Sequence, residues 1–283
     1  MTTINRITFV GAGSMAESII KGLVSRKMIP SPNIMVTNRT DEERLEYLED
    51  KYGIHISHDD ERILTETDLI ILAMKPKDAQ SGLERIRPYV KDSHIITSVM
   101  AGITTEFIES VLGSDCPVIR TMPNTSAEIG HSTTTLCIGK NTTLEQCLIV
   151  EQLFKAIGSV TVVQEQYMDA TTALAGSGPA YLYYIAEAMK QAAMNLELDD
   201  DKARELIAET MIGAGQMMKA SSTDLNQLRI NITSPGGTTE AGLNALMERH
   251  VEDAFKQCIL DAAKRSKELQ QHFSICKKNT ANR

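Results

Sequence analysis

The chain has 283 residues, of which 42% are hydrophobic, and a formal net charge of −8. This length suggests two domains, and the hydrophobic fraction is sufficient for a sizeable core. The acidic balance argues against a nucleic-acid partner, because phosphate binding needs a basic face. Five dispersed cysteines without a CxxC spacing predict reduced thiols in a cytoplasmic protein. We expect neither secretion nor a membrane span, since no apolar run is long enough.

Short apolar segments alternate with helix-length segments through the first half of the chain. Helices are expected from Ser14 and over Asp41–Lys51, the second with Thr40 or Asp41 as its N-cap. The expected strands are Ile7–Val10, Ile34–Thr37, Leu69–Met74, Ile95–Val99, Val118–Thr121, Thr133–Ile138 and Val160–Val163. This alternation predicts an α/β fold, with a Rossmann domain over residues 1–164 built on a parallel-rich sheet.

The second half of the chain changes character after about Gln164. Residues 169–271 show helical patterns and no strand pattern, which predicts an all-α domain over residues 165–272. The apolar segment Ala170–Ala188 is hard to bury in a monomer, so we expect this half to form at least a homodimer. The polar and basic residues 273–283 are predicted to be a flexible tail.

The first chemical motif is Gly-Ala-Gly-Ser-Met-Ala at residues 11–16. Gly11 allows a tight turn, Gly13 lets the backbone approach a pyrophosphate, and Ala16 permits close packing of helix on strand. The pattern alone also fits a tight turn without a ligand. Its place between a strand and a helix predicts a dinucleotide site instead. The expected cofactor contacts are Gly11, Ala12, Gly13, Ser14 and Met15.

The end of the second strand carries Asn38 and Arg39. Sites selective for NAD usually have an acidic residue here, bonded to the ribose 2′-hydroxyl. Asn38 is uncharged, and Arg39 supplies a planar cation suited to a 2′-phosphate. Both are expected to contact the cofactor, and the pair favours NADPH, with NADH still possible. The alternative is that Arg39 is a solvated surface charge.

Further candidate contacts follow the next strands of the predicted sheet. The two segments are Ala73–Pro76 and Val99–Gly102. Ligands bind at the carboxyl ends of strands in an open α/β sheet, although either segment could also be a simple turn. The expected cofactor contacts there are Ala73, Met74, Lys75, Pro76 and Ala101. Asn124 occupies the same place on a later strand, where it either meets a ligand or caps a turn.

Two glycine-containing segments interrupt the helical half. The sequence Ser-Pro-Gly-Gly-Thr-Thr at residues 234–239 places N–H groups and hydroxyls at one spot before a helical pattern. Such a spot suits a small carboxylate, although a helix-entry turn would use the same residues. The small residues of Ala175–Tyr181 allow either the approach of a ligand or a close helix crossing.

Taken together, these motifs resemble those of pyrroline-5-carboxylate reductases. The resemblance runs in order from about residue 4 to residue 271 and adds Met122–Thr125 and Ala173–Tyr181 to the motifs described above. It implies an N-terminal Rossmann domain and a helical domain that dimerises by interlocking. It also implies reduction of 1-pyrroline-5-carboxylate to L-proline by NAD(P)H, the last step of proline synthesis.

The resemblance assigns roles to the residues of the segment 234–239. The backbone around Gly237, Thr238 and Thr239 would bind the substrate carboxylate, and Ser234 would shape the loop. Thr239 matches the family threonine whose hydroxyl meets the ring nitrogen and could donate a proton, so it is the expected catalytic residue. Asn231 is added to the expected cofactor contacts, and no metal site is expected.

Some positions depart from the usual family pattern. Ile230 stands where an acidic residue is common, Asp60 replaces a frequent asparagine, and Leu246–Val251 lacks a familiar glycine pair. Two alternatives therefore stay open. One is a β-hydroxyacid-dehydrogenase-like reductase, which needs a catalytic lysine for which Lys190 is the candidate. The other is a non-catalytic nucleotide-binding paralogue with a regulatory role.

Overall fold

The computed structural model describes residues 4–113 and 115–280, with side chains described through residue 270. One eight-stranded sheet has the order β3-β2-β1-β4-β5-β6-β7-β8. The strands are β1 Ile7–Val10, β2 Ile34–Thr37, β3 His55–Ile56, β4 Leu69–Leu72, β5 Ile95–Ser98, β6 Val118–Met122, β7 Ser132–Ile138 and β8 Gly158–Val162. Neighbouring strands are parallel except for β6 and β7, which are antiparallel.

The sheet confirms the predicted α/β class and its mostly parallel strands, and it differs from the sequence analysis in three details. Strand β3 was not predicted, because a strand of two residues is too short to show an alternation of polar and apolar side chains. Strand β7 runs antiparallel to β6, since residues 123–131 between them are too few for a crossover connection. The predicted strand Leu69–Met74 ends earlier, at Leu72, so Ala73 and Met74 belong to the loop at the carboxyl edge.

Helices cover both faces of the sheet. They are α1 Ser14–Ser25, α2 Glu42–Tyr52, α3 Asp60–Thr65, α4 Ala79–Ile86, α5 Thr105–Leu112 and α6 Leu144–Phe154. Apolar residues of α1, α2 and α6 pack in one buried cluster, and those of α3, α4 and α5 pack in another. The sheet is therefore the middle of three layers, as expected for a doubly wound fold.

Helix α2 begins where the sequence predicts. Of the two candidate caps, Asp41 is the residue used, because its side chain accepts a hydrogen bond from the Arg44 N–H at 3.1 Å. Gly53 ends the helix in a left-handed conformation with φ of 64°. Between these ends, Leu45 and Leu48 are buried in the same hydrophobic cluster as the apolar residues of α1.

The chain packs as two compact units. The first ends at Ser177 and resumes at Asp261, and the second runs from Gly178 to Leu260. The remaining helices are α7 Met168–Thr171, a π-helical turn Thr172–Gly176, α8 Gly178–Asn195, α9 Asp200–Ala220, α10 Leu225–Asn231, α11 Thr238–Glu248 and α12 Val251–Thr280. No strand occurs among the described residues of the second unit, which confirms an all-α region.

The predicted tail falls mostly within the last helix. Residues 273–280 belong to α12, and residues 281–283 lie outside the described part of the chain. Flexibility of this segment stays a prediction. Within the residues that the structure describes, no helix is both long and apolar enough to cross a membrane.

The second unit has a small core and an extensive apolar surface. Its buried apolar residues, among those the structure describes, are Ala203 and Ile207. Exposed large apolar side chains include Leu182, Tyr183, Tyr184, Met194, Leu196, Leu206, Ile212, Met217, Met218, Leu225, Ile232 and Met247. A monomeric protein seldom exposes so many apolar side chains on one small unit.

Candidate active site

A cavity of about 910 Å³ opens at the carboxyl ends of β1, β2 and β4. The chain passes from β1 to one side of the sheet and later returns to β4 on the other, which leaves a crevice at this edge. Nine of the predicted cofactor contacts line it: Gly11, Ala12, Gly13, Ser14, Asn38, Arg39, Ala73, Met74 and Lys75.

The glycine loop forms the floor of the cavity. The Gly11 N–H donates to the Thr37 carbonyl at 2.8 Å, and Gly11 has φ of 113°. A Cβ at Gly11 would lie 2.6 Å from the carbonyl carbon and oxygen of Ala73. A Cβ at Gly13 would meet no described atom within 4 Å. Gly11 is therefore required by the fold, whereas Gly13 leaves space in front of the loop.

The start of α1 suits a pyrophosphate. Gly13 is its N-cap and provides no side-chain hydrogen bond to the first turn. The first N–H groups of a helix have no partner within the helix and, with the helix dipole, favour an anion. The open space at Gly13 gives a phosphate room to reach these groups. The residues present thus fit a dinucleotide cofactor.

Charged side chains surround the cavity with an excess of cations. The lining cations are Arg39, Arg44, Lys75, Lys77 and Arg85, and the lining acids are Glu17, Asp41 and Asp78. Arg85 is paired with Asp60, whose carboxylate lies 2.9 Å from Nε. Local positive charge attracts an anionic ligand to an otherwise acidic protein.

The loop after β2 holds Asn38 in a turn. Its Nδ2 group donates to the Asp41 carbonyl at 2.7 Å, and its Oδ1 accepts from the Asp41 N–H at 3.1 Å. Arg39 is exposed at the cavity. The amide of Asn38 is therefore used to shape the loop, while the Arg39 cation remains available to a ligand.

Three predicted contacts in the first unit are not among the cavity-lining residues. Met15 packs against the hydrophobic core, Pro76 begins a short 3-10 helix, and Ala101 lies in the turn after β5. Asn231 belongs to the second unit, where its Oδ1 accepts from the Gln227 side chain at 2.8 Å. Their contacts with the cofactor stay predictions.

The cavity also includes residues that sequence reasoning missed. They are Val10, Glu17, Thr40, Asp41, Arg44, Lys77, Asp78, Ser81, Gly82 and Arg85. Arg44 lies three residues after the Asp41 cap, so the predicted start of α2 could have placed it beside the β2 loop. The contacts of its side chain with Ala12 and Glu17 are distant in sequence, so no local pattern indicates them.

The predicted substrate loop lies in the second unit and leads into α11. Gly236 has φ of 72°, and its N–H donates to the Glu240 carboxylate at 2.8 Å. The Gly237 N–H donates to the Ser234 carbonyl at 3.0 Å. A Cβ at Gly237 would lie 3.0 Å from that carbonyl oxygen. Both glycines are thus suited to this tight entry into the helix.

The hydroxyls of the loop are available to a ligand. Ser234, Thr238 and Thr239 make no side-chain hydrogen bond within the described part of the chain. Gly237 caps α11 without a side-chain bond, so the first N–H groups of this helix also lack a capping partner. The loop therefore combines hydroxyls with a helix N-terminus, which is the arrangement that a carboxylate needs.

The small residues at the start of Ala175–Tyr181 contact the end of β6 and the loop after it, and a ligand contact there stays a prediction. Asn124 is buried, and its Nδ2 group donates to the Ala175 carbonyl at 3.0 Å. Its Oδ1 accepts from the Ser126 N–H at 3.1 Å, which caps the following turn. A Cβ at Gly176 would lie 3.2 Å from Cε of Met122. Of the two readings left open for Asn124, the turn cap is the one observed.

Two family models match the chain. The model for pyrroline-5-carboxylate reductase dimerisation matches residues 165–269, and the model for NADP oxidoreductase, coenzyme F420-dependent, matches residues 6–102. A pyrroline-5-carboxylate reductase 2 from Bacillus subtilis is 45% identical over 269 residues, which cover 95% of this chain and 96% of the relative.

Solved structures agree with these matches. A pyrroline-5-carboxylate reductase from Coxiella burnetii has a TM-score of 0.86 at 32% identity, over 94% of this chain and 99% of that one. Plasmodium falciparum pyrroline carboxylate reductase with NADP bound has a TM-score of 0.85 at 27% identity, over 95% and 99%. The resemblance seen in the motifs is confirmed, and the chain belongs to the pyrroline-5-carboxylate reductase family.

Proposed function

We propose that this protein reduces 1-pyrroline-5-carboxylate to L-proline with a hydride from NADPH. The observation that carries the proposal is the glycine-loop cavity of the first unit, which occurs in one chain with the uncapped threonine loop of the second. The first suits a dinucleotide and the second a carboxylate. Family membership over nearly the whole chain supports this substrate over other imines and carbonyls.

The threonine loop is the proposed carboxylate site. The backbone N–H groups of Thr238 and Thr239 begin α11, and Gly237 leaves them without a side-chain cap. We assign Ser234, Gly237, Thr238 and Thr239 to substrate binding. A carboxylate accepting these N–H groups would gain charge-assisted hydrogen bonds and the favourable end of the helix dipole.

The chemistry makes few demands on the protein. The imine nitrogen of the substrate is readily protonated near neutral pH, and this makes the adjacent carbon electrophilic. The nicotinamide supplies the hydride, so the chain has to hold the substrate in line with it and keep the nitrogen hydrogen-bonded. We propose that the Thr239 hydroxyl contacts that nitrogen, either from the same chain as the cofactor or from a partner chain.

We propose NADPH as the preferred cofactor. In the loop after β2, position 38 is an asparagine and not an acidic residue that could bond a ribose 2′-hydroxyl. The next residue, Arg39, is a cation that lines the cavity. The relative from Plasmodium falciparum was solved with NADP bound. NADH remains a second possible donor, because the phosphate loop serves both cofactors equally.

We propose a homodimer, or a higher homo-oligomer, formed through the helical domain. The match to the dimerisation model and the exposed apolar side chains of the second unit support it. The start of that match at residue 165 supports the domain boundary after residue 164. The dispersed cysteines support the proposed cytoplasmic location.

The alternative β-hydroxyacid-dehydrogenase chemistry has less support. Its candidate lysine, Lys190, forms an ion pair with Asp200 at 2.8 Å on the half-exposed surface of α8 and α9. A catalytic lysine would need its ammonium group directed to a substrate. No contact of Lys190 favours that role over a surface ion pair.

Turnover tests the proposal directly. We expect purified protein to oxidise NADPH when 1-pyrroline-5-carboxylate is added and to yield proline in equal amount. Small 2-hydroxy and 3-hydroxy acids with oxidised cofactor serve as controls for the alternative chemistry. Absence of turnover with both NADPH and NADH would refute the reductase assignment and favour the non-catalytic alternative.

A further inference from the structure

Arg44 lies in the first turn of α2 and lines the same cavity wall as Arg39. Its Nε–H donates to the Ala12 carbonyl at 2.8 Å, and its Nη2 donates to the Glu17 carboxylate at 2.6 Å. Both acceptors belong to the glycine loop and to α1. One edge of the guanidinium is therefore fixed on the elements that form the cavity floor.

The acceptor carboxylate is itself held by several donors. Glu17 also accepts from Lys51 Nζ at 2.9 Å and from the Tyr52 hydroxyl at 2.8 Å. Burial raises the pKa of Glu17, but the hydrogen bonds from Arg44, Lys51 and Tyr52 outweigh it and bring the pKa to about 2. At neutral pH the carboxylate stays charged and keeps Arg44 in place.

The local charge near Arg44 remains positive despite Glu17. One carboxylate is shared between two cations, Arg44 and Lys51. Of these two cations, Arg44 lines the cavity and Lys51 does not. The second acid of this wall, Asp41, caps α2 and keeps its negative charge. Arg39, Arg44 and Lys51 together carry three positive charges against two negative charges on Glu17 and Asp41, so this group of side chains after β2 has a net charge of +1.

The other edge of the Arg44 guanidinium, which carries Nη1, has N–H donors available for a ligand. Its Nη1 makes no hydrogen bond to any residue that the structure describes. An arginine already fixed at one edge loses little further freedom when the other edge binds an anion. The amide of Asn38 is engaged with Asp41, so the arginines are the strongest donors on this wall.

We propose that Arg44 is a specificity-determining residue that donates from Nη1 to the 2′-phosphate of NADPH, beside Arg39. This role rests on the proposed function, which supplies the cofactor. If Arg44 only positioned the glycine loop through Ala12, its loss would weaken the binding of NADH and NADPH equally, because both cofactors have the pyrophosphate that this loop binds.

Binding titrations separate the two roles without relying on catalysis. The full-length protein is titrated with NADPH, NADH, adenosine 2′,5′-bisphosphate and adenosine 5′-phosphate by calorimetry. The last two ligands differ by the 2′-phosphate alone. Arg44→Gln removes the cation, Arg44→Lys keeps the charge without the fork, and Arg39→Gln is the reference. Lys51→Gln is the matched control, because it removes a cation from the same group outside the cavity.

We expect wild-type protein to prefer NADPH over NADH. Arg44→Gln should weaken NADPH and the 2′,5′-bisphosphate about ten-fold or more and change NADH less than about three-fold. Arg44→Lys should lose part of this preference, and Lys51→Gln should retain it. Melting curves confirm that each variant is folded. If Arg44→Gln does not fold, the cofactor preference of Arg44→Lys decides between the two roles.

Three outcomes would overturn the role of Arg44. They are a wild-type protein without preference for NADPH, equal weakening of NADPH and NADH by Arg44→Gln, and full wild-type preference in Arg44→Lys. Failure of the reductase assignment looks different. In that case the 2′-phosphate dependence would hold, but pyrroline-5-carboxylate would not support turnover by the wild-type protein.

Discussion

Thr239 is the residue on which the proposed chemistry depends. It is the second residue of α11, and its hydroxyl makes no hydrogen bond to residues that the structure describes. A threonine in a helix often bonds back to the carbonyl four residues earlier, as Thr210 of α9 does to Leu206 at 2.6 Å. The hydroxyl of Thr239 is instead available to the substrate nitrogen.

Replacing Thr239 tests this role with a matched pair. Thr239→Ala should lower kcat/KM by about ten- to a hundred-fold, because a hydrogen bond lost in the transition state contributes about 1–3 kcal/mol. Thr239→Ser keeps the hydroxyl and should retain most activity. The Kd for NADPH should stay unchanged in both. Full kcat/KM in the alanine variant would show that Thr239 does not contact the nitrogen.

At the scale of elements, the glycine loop uses its two glycines for different reasons. Gly11 has a positive φ and touches the backbone of Ala73, so a side chain there strains the β1–β4 edge. Gly13 has φ of −72°, which any residue adopts, and it faces open space. One glycine therefore serves the fold and the other serves the ligand.

This difference predicts opposite behaviour of two alanine variants. Gly13→Ala should leave the melting temperature unchanged but weaken NADPH and NADH alike by about ten-fold or more, because its methyl group occupies the approach of the pyrophosphate. Gly11→Ala should lower the melting temperature, because strained backbone of this kind costs about 1–3 kcal/mol. Unchanged cofactor affinity in Gly13→Ala would place the phosphates elsewhere.

Local sequence rules predicted the elements better than the site. Apolar strands and the glycine motif carry their own signals, so β1 and β2 were predicted with their bounds and α1 with its start at Ser14. Strand β3 and the antiparallel β7 depend on pairing partners and loop length, which short patterns do not contain. The contacts of Arg44 join α2 to the glycine loop across the fold, so composition alone could not reveal them.

At the scale of the whole molecule, the second unit does not bury enough of its own apolar surface. Ala203 and Ile207 are its buried apolar residues in the described range, whereas Leu196 and Ile232 are 81% and 70% exposed. The favourable free energy of burial scales with apolar area removed from water. A second copy that covers these helices would stabilise the fold as well as complete the assembly.

Assembly should be visible in mass and in stability. Light scattering is expected to give a dimer or a larger homo-oligomer. The melting temperature should rise with protein concentration, because association stabilises the folded state by mass action. A monomer mass together with a melting temperature independent of concentration would contradict assembly through the helical domain.

The central claim is that this chain moves a hydride from a nicotinamide to the imine carbon of pyrroline-5-carboxylate. The most direct measurement uses NADPH that carries deuterium at the transferred position of nicotinamide C4, with mass spectrometry of the product. We expect proline with one deuterium on the ring carbon next to nitrogen that was the imine carbon. Unlabelled proline, or consumption of NADPH without formation of proline, would contradict the claim.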